Sequence, residues 1–167
     1  MTSTAQTSLG RHLTMRGSLA RKGLSVFPLL TLPWLFYTMM TWFAGTRGES
    51  DLPAITGALN ASVFSLKMVS GVTWRLEVGD FLLLIGLLML AIEIAKATSS
   101  RSVSIANHIV SMGLLLLCVI LFLGVGSYAT STFFLLTMMV VFDVLVGAMV
   151  TIISARRDFG VGDGMVS

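Results

Sequence analysis

The amino-acid sequence predicts an all-α membrane protein: four transmembrane helices in an antiparallel bundle, with a short extracytoplasmic β-hairpin between the first two. Three observations carry that prediction. Apolar residues make up 55% of the chain and charged ones only 11%, four apolar stretches have the length of a bilayer crossing, and lysine and arginine gather on one side of those stretches.

A water-soluble fold of 167 residues has no use for a mean hydropathy of +0.91, so the apolar excess has to face lipid. The stretches are residues 24–44, 79–97, 105–125 and 133–154. At ~1.5 Å per residue each reaches roughly 29–33 Å, matching the ~30 Å hydrocarbon core of a bilayer. Helices are the expected form, because hydrocarbon offers backbone groups no hydrogen-bond partner and the alternation of a membrane β-barrel is missing.

The cations set the orientation. Arg11, Arg16, Arg21 and Lys22 precede the first stretch, Lys96 and Arg101 lie between the second and third, and Arg156 and Arg157 follow the fourth. The other side receives only Arg47, Lys67 and Arg75, in a loop that also holds Glu49, Asp51 and Glu77. The positive-inside rule then places both termini in the cytoplasm and the 45–78 loop outside. Orientation accounts for the net charge of +3 better than nucleic acid does, since the basic residues flank the spans instead of forming a patch.

Three parts follow: a basic cytoplasmic segment (1–23), the transmembrane domain (24–154) and a cytoplasmic tail (155–167). The first 48 residues contain no Asp or Glu. The apolar run from Leu24 is longer than a signal-peptide core and no A-x-A site follows it, which favours a retained signal anchor; a mitochondrial transit segment is the alternative. Leu9, Leu13, Ala20 and Leu24 lie close to one helical face with Arg11 and Lys22 elsewhere, as in a helix resting on the anionic inner surface; a disordered basic tail fits the same residues. Pro28 and Pro33, inside the first stretch, predict a kinked helix.

The external loop carries a period of two. Val72, Trp74, Leu76 and Val78 alternate with Thr73, Arg75 and Glu77, and upstream Phe64, Leu66 and Met68 alternate with Ser65 and Lys67. A three-residue turn, Val69-Ser70-Gly71 with Gly71 left-handed, would set Met68 against Val72, Leu66 against Trp74 and Phe64 against Leu76, all on one face. A two-residue turn would oppose Leu66 to Arg75, so the pairing itself selects the longer turn. The expected product is an amphipathic, half-buried hairpin over the outer mouth of the bundle or on the headgroups, leading through Gly79 to Asp80 as N-cap. Asn60-Ala61-Ser62 matches a glycosylation sequon, a pattern of loose specificity.

Two intramembrane polar constellations are the candidate sites. Asp143 sits at the midpoint of 133–154, where an ionised carboxylate costs about 2.5–3.5 kcal/mol on insertion scales, so it must face protein or water. Gly147, Thr151 and Ser154 fall on the same side, a small and polar helix-packing face. Asp143 is either a proton or cation site or a neutral acid hydrogen-bonded across the bundle. Glu93 and His108 lie at similar distances from the short loop near Ser100; an antiparallel hairpin of the second and third spans would bring the face of Gly86, Leu90, Glu93 and Ala97 against that of Ser104, His108, Ser111 and Cys118. A Glu93–His108 pair could relay protons. Equally, Glu93 could pair with Lys96 at i, i+3 while His108 donates to a carbonyl.

No metal or other cofactor is expected: the histidines, His12 and His108, are on different segments and Cys118 is the single cysteine. No Gly-x-Ser-x-Gly elbow, Walker loop or dinucleotide fingerprint occurs, so no enzyme is expected either.

The residues Ala129-Thr130-Ser131-Thr132-Phe133-Phe134-Leu135-Leu136-Thr137, then Asp143-Val144, Gly147, Val150-Thr151-Ile152 and Ala155-Arg156-Arg157-Asp158-Phe159-Gly160, resemble small uncharacterised inner-membrane proteins of proteobacteria. The resemblance extends back to Trp74 and leaves the N-terminal 60 residues uncovered. It implies a bacterial inner membrane and no particular chemistry. The function expected is therefore a non-enzymatic accessory or structural subunit that self-associates or packs in a larger membrane complex through Asp143, Gly147 and Thr151, with the bilayer as partner and no nucleic acid. The alternative is an oligomeric proton- or cation-coupled transporter or channel using Asp143 with Glu93 and His108.

Overall fold

The computed structural model describes residues 27–45, 52–99 and 101–160, with side chains at 98, 99, 101–106 and 154–160 outside that description. The expectations for the basic N-terminal segment and for Ser104 and Ser154 lie outside the described residues. The elements are α1 (Thr31–Ala44), a one-turn α2 (Thr56–Leu59), β1 (Ser62–Lys67), β2 (Thr73–Glu77), α3 (Val78–Ser99), α4 (Arg101–Gly124), a 3-10 turn (Gly126–Tyr128) and α5 (Ser131–Gly160).

Three helices are long and apolar enough to cross a membrane, over Val78–Ala97, Asn107–Gly124 and Ser131–Ile153. They coincide with the second, third and fourth apolar stretches. Their surfaces invert the soluble pattern. Phe81, Leu84, Leu88, Ile109, Leu116, Phe142 and Met149 point outward, while Glu93, Ser111, Thr137 and Asp143 are buried. Water would penalise that arrangement twice over, through the exposed hydrocarbon and the buried polar groups, whereas lipid favours it.

The first stretch behaves differently. Helix α1 has 14 residues, roughly 21 Å at the helical rise, short of the ~30 Å core. Its prolines are the reason, and they do not act as the sequence reading expected. Pro28 precedes the helix, where its carbonyl accepts from Thr31 N–H at 3.1 Å, and the first full helical bond runs from Trp34 N–H to the Leu30 carbonyl at 3.3 Å. Pro33 falls in the first turn, where a missing N–H costs nothing. The prolines therefore start the helix instead of kinking its interior.

Packing places α5 in the middle. It lies along α4 on one side and along α3 on the other, while α3 and α4 meet only sparsely although they adjoin in sequence. Gly79 and Gly86, two turns apart on α3, make the α3–α5 approach close. A Cβ at Gly79 would sit 2.9 Å from Thr132 Oγ1, and one at Gly86 would sit 3.0 Å from Leu136 Cδ2 and Met139 Sδ. At the hairpin end Tyr37 of α1 packs on Tyr128 and Phe133 at ring separations of 5.7 and 4.9 Å. Its hydroxyl is 2.6 Å from Thr130 Oγ1, the N-cap that accepts from Phe133 N–H at 3.1 Å.

The hairpin has the anticipated register: Phe64 opposes Leu76, Leu66 opposes Trp74 and Lys67 opposes Thr73. Met68 N–H donates to Val72 at 2.9 Å across the three-residue turn, and Gly71 takes φ +86°, the left-handed conformation that turn requires. Two details depart from the sequence reading. β1 and most of β2 are exposed on both faces, so the hairpin is not half-buried and does not cover the mouth. Ile55 and Leu59, flanking and ending α2, are buried at that end instead. Asp80 is not the N-cap either. Helix α3 begins at Val78, and Asp80 in its first turn accepts from Glu77 N–H at 3.1 Å, the reciprocal half of a capping box.

Candidate functional site

Between α4 and α5 runs a seam of polar and small side chains. The helices are antiparallel, so the facing pairs step in opposite directions along the two chains. His108 meets Gly147 and Ser111 meets Asp143. Ser111 Oγ donates to Asp143 Oδ2 at 2.5 Å, with both residues buried, at 1% and 7% exposure. Among hydrocarbon that bond answers a polar group that could not otherwise lie at mid-helix.

Gly147 exists in this seam as room for a ring. A Cβ there would stand 2.6 Å from His108 Nδ1, closer than packing allows, with Cγ tight at 3.3 Å and Cβ in ordinary contact at 3.5 Å. His108 Nδ1 is buried without a hydrogen-bond partner. One turn further along α5, the Thr151 hydroxyl donates to the carbonyl of Gly147 at 2.8 Å within its own helix. The face of Asp143 and Gly147 is thus covered by α4 of the same chain.

Glu93 sits at a second junction, 1% exposed near the end of α3 away from the hairpin. One carboxylate oxygen, Oε2, accepts from Leu29 N–H at 2.9 Å and lies 3.3 Å from Lys96 Nζ; the other, Oε1, accepts from Asn107 Nδ2 at 2.5 Å. Glu93 therefore joins α3, the start of α4 and the turn that begins α1. Leu30, in the N-cap position of α1, provides no side-chain cap, so the carboxylate supplies negative charge at the amino end of that helix in its place.

The structure does not bring Glu93 and His108 into the pair that their depth suggested. Helix α5 packs along both α3 and α4, which meet only sparsely, and His108 faces Gly147 of α5. Glu93 takes Asn107, the residue beside His108, along with Lys96 as the sequence allowed. Asn107 and Tyr37 are the residues that sequence reasoning missed. Asn107 was visible as an amide inside an apolar helix, and Tyr37 lies on the Pro33–Tyr37–Thr41 stripe, buried at helical spacing. Glu93, Lys96 and His108 all lie within electrostatic reach of Asp143. Among the described residues no group of three or more His, Cys, Asp or Glu could hold a metal ion.

Chemically, the seam offers hydrogen bonds between helices and one imidazole nitrogen without a partner. Neither a family model, nor a curated protein, nor a solved structure matches this chain.

Proposed function

We propose that this is a non-enzymatic integral protein of a bacterial inner membrane, an accessory or structural subunit of a larger membrane assembly, crossing the bilayer four times with both ends in the cytoplasm. The observation that supports it best is that both intramembrane carboxylates are engaged within the chain. Asp143 holds Ser111, and Glu93 holds Leu29, Lys96 and Asn107. Groups bonded in this way fasten helices, the commonest use of polar side chains in lipid. Because α4 covers Asp143 and Gly147, association with other chains falls to the outward apolar faces, and the seam serves to hold the subunit's own shape.

The fourth crossing is supported by depth. From Leu29 to Ala44, and from Val78 to Glu93, the chain advances the same number of residues, roughly 22 Å at ~1.5 Å each. Since Glu93 binds Leu29 while Tyr37 reaches Thr130 at the hairpin end, α1 fills that depth beside α3.

A proton- or cation-coupled carrier is the second reading, favoured by one observation: His108 Nδ1 is buried and unpartnered one turn from the Ser111–Asp143 bond. One experiment separates the two. Asp143→Asn keeps size and hydrogen bonding but cannot ionise. The subunit reading expects co-purification of the native assembly in mild detergent to be unchanged and proton flux in reconstituted vesicles to stay at the protein-free level for wild type and variant. Robust wild-type flux abolished by Asn, with assembly intact, would replace it by the carrier.

A further inference from the structure

Resting on the membrane reading, we propose that the apolar face of the β1–β2 hairpin lies on the lipid surface at the hairpin end of the molecule, anchoring the subunit's outer loop in the headgroup region. Phe64, Leu66, Met68, Val72 and Trp74 are 46–65% exposed on one face, and Val69 at the tip is fully exposed. Ser65, Lys67, Thr73 and Arg75 alternate with them and take the other face. Two strands alone are marginal in water and need a further layer against their apolar side.

Among the described residues none supplies that layer. Ile55 and Leu59 already close the hairpin end, and the neighbouring 46–51 segment, Thr-Arg-Gly-Glu-Ser-Asp, has no apolar side chain to offer. The bilayer is the one partner whose position is given by covalent structure. β2 ends at Glu77 and the membrane-length helix starts at Val78 with no linker between them. The last residue of the strand is therefore at the membrane boundary, and a hairpin standing upright would carry Val72 roughly 16 Å away at ~3.3 Å per residue, beyond a headgroup layer roughly 5–8 Å deep.

Aromatic placement points the same way. Trp42 and Phe43, at the hairpin end of α1, are 84% and 80% exposed, and Trp74 extends that set onto the hairpin. Tryptophan concentrates at membrane–water boundaries because its ring is apolar and its N–H is polar. Lying flat, the hairpin puts Trp74 in that layer and leaves Lys67 and Arg75 in water.

The test labels single introduced cysteines with an environment-sensitive fluorophore in the full chain, reconstituted in phosphatidylcholine and phosphatidylglycerol vesicles. Cys118 is buried, and the unsubstituted chain controls for its labelling. Leu66→Cys and Val72→Cys report on the apolar face, Lys67→Cys on the opposite face and Leu87→Cys on the outward side of α3. Lipids with a nitroxide near the top of the acyl chain should quench positions 66 and 72 several-fold more than 67, while aqueous iodide should prefer 67. If 66 and 72 are quenched by iodide as 67 is, with 87 still quenched by lipid nitroxide, the hairpin proposal falls and the membrane reading stands. Protection of 66 and 72 that fades as protein is diluted in lipid would assign the face to a second copy and overturn the proposal. Failure of lipid nitroxide at every depth to quench 87 would overturn both.

Discussion

Gly147→Ala is the smallest change that attacks the α4–α5 seam. The new methyl would stand 2.6 Å from His108 Nδ1, with Cγ and Cβ of the same side chain at 3.3 and 3.5 Å. The clash is with the ring, since Cγ at 3.3 Å is only tight and Cβ at 3.5 Å is ordinary contact, so the imidazole has to turn away within a buried seam or the helices have to separate. Overpacking of this kind costs about 1–3 kcal/mol. Separation also stretches the Ser111–Asp143 bond one turn away, adding about 0.6 kcal/mol, the average for interhelical bonds in membranes. Two glycines serve as internal standards. Gly113 has nothing within 4 Å of an added methyl, so Gly113→Ala should be neutral or slightly stabilising; at Gly86 the nearest atoms are the mobile ends of Leu136 and Met139, so Gly86→Ala should fall between. The single cysteine, 1% exposed, provides the assay: a thiol-reactive dye reads the unmasking of Cys118 during heating in detergent. Gly147→Ala should melt well below wild type, and His108→Ala in the same chain should recover most of the loss by vacating the ring's place. A Gly147→Ala protein that melts with Gly113→Ala, or a double variant no better than the single, would refute the close contact.

Three further outcomes follow from the same geometry. Glu93→Leu leaves Leu29 N–H and Asn107 without their acceptor and should destabilise by about 1–3 kcal/mol, the desolvation cost of unanswered groups, whereas Glu93→Gln should lose less; hydrogen exchange at residues 29–32 should rise in the Leu variant before it rises elsewhere. Tyr37→Phe removes the short hydroxyl bond to Thr130 and the longer one to the Ser127 carbonyl and should cost about 0.5–1.5 kcal/mol, while Thr130→Ala removes the short bond and the N-cap of α5 together and should cost more, up to about 3 kcal/mol, in the same dye-based melt. A reporter active only in the cytoplasm should work when fused after Ser167 and be silent when inserted near Gly57; the reverse pattern would overturn the placement of the termini.

What the sequence alone determined is everything that depends on neighbours along the chain. The three membrane-length helices follow from runs of apolar residues, because a helix satisfies its backbone internally wherever it sits. The hairpin register follows from alternation and from Gly71, because slipping by one residue would put Arg75 against Leu66. Asp143, Gly147, Glu93 and His108 were legible as residues that cannot face lipid or that admit close packing. Their partners were not. In water a helix declares its inner face by being more apolar there, but in a membrane the lipid-facing residues are as apolar as the core, and the stripe that marks the inside is faint. The choice of neighbours therefore rested with tertiary structure. Packing α5 along α4 gave Asp143 to Ser111 and Gly147 to His108, while Glu93 meets Asn107 where α3 and α4 still touch and reaches the turn that begins α1. The same holds for the prolines, whose bending or starting role depends on where the helix begins, and the turn before it is held by a carboxylate more than sixty residues away in sequence.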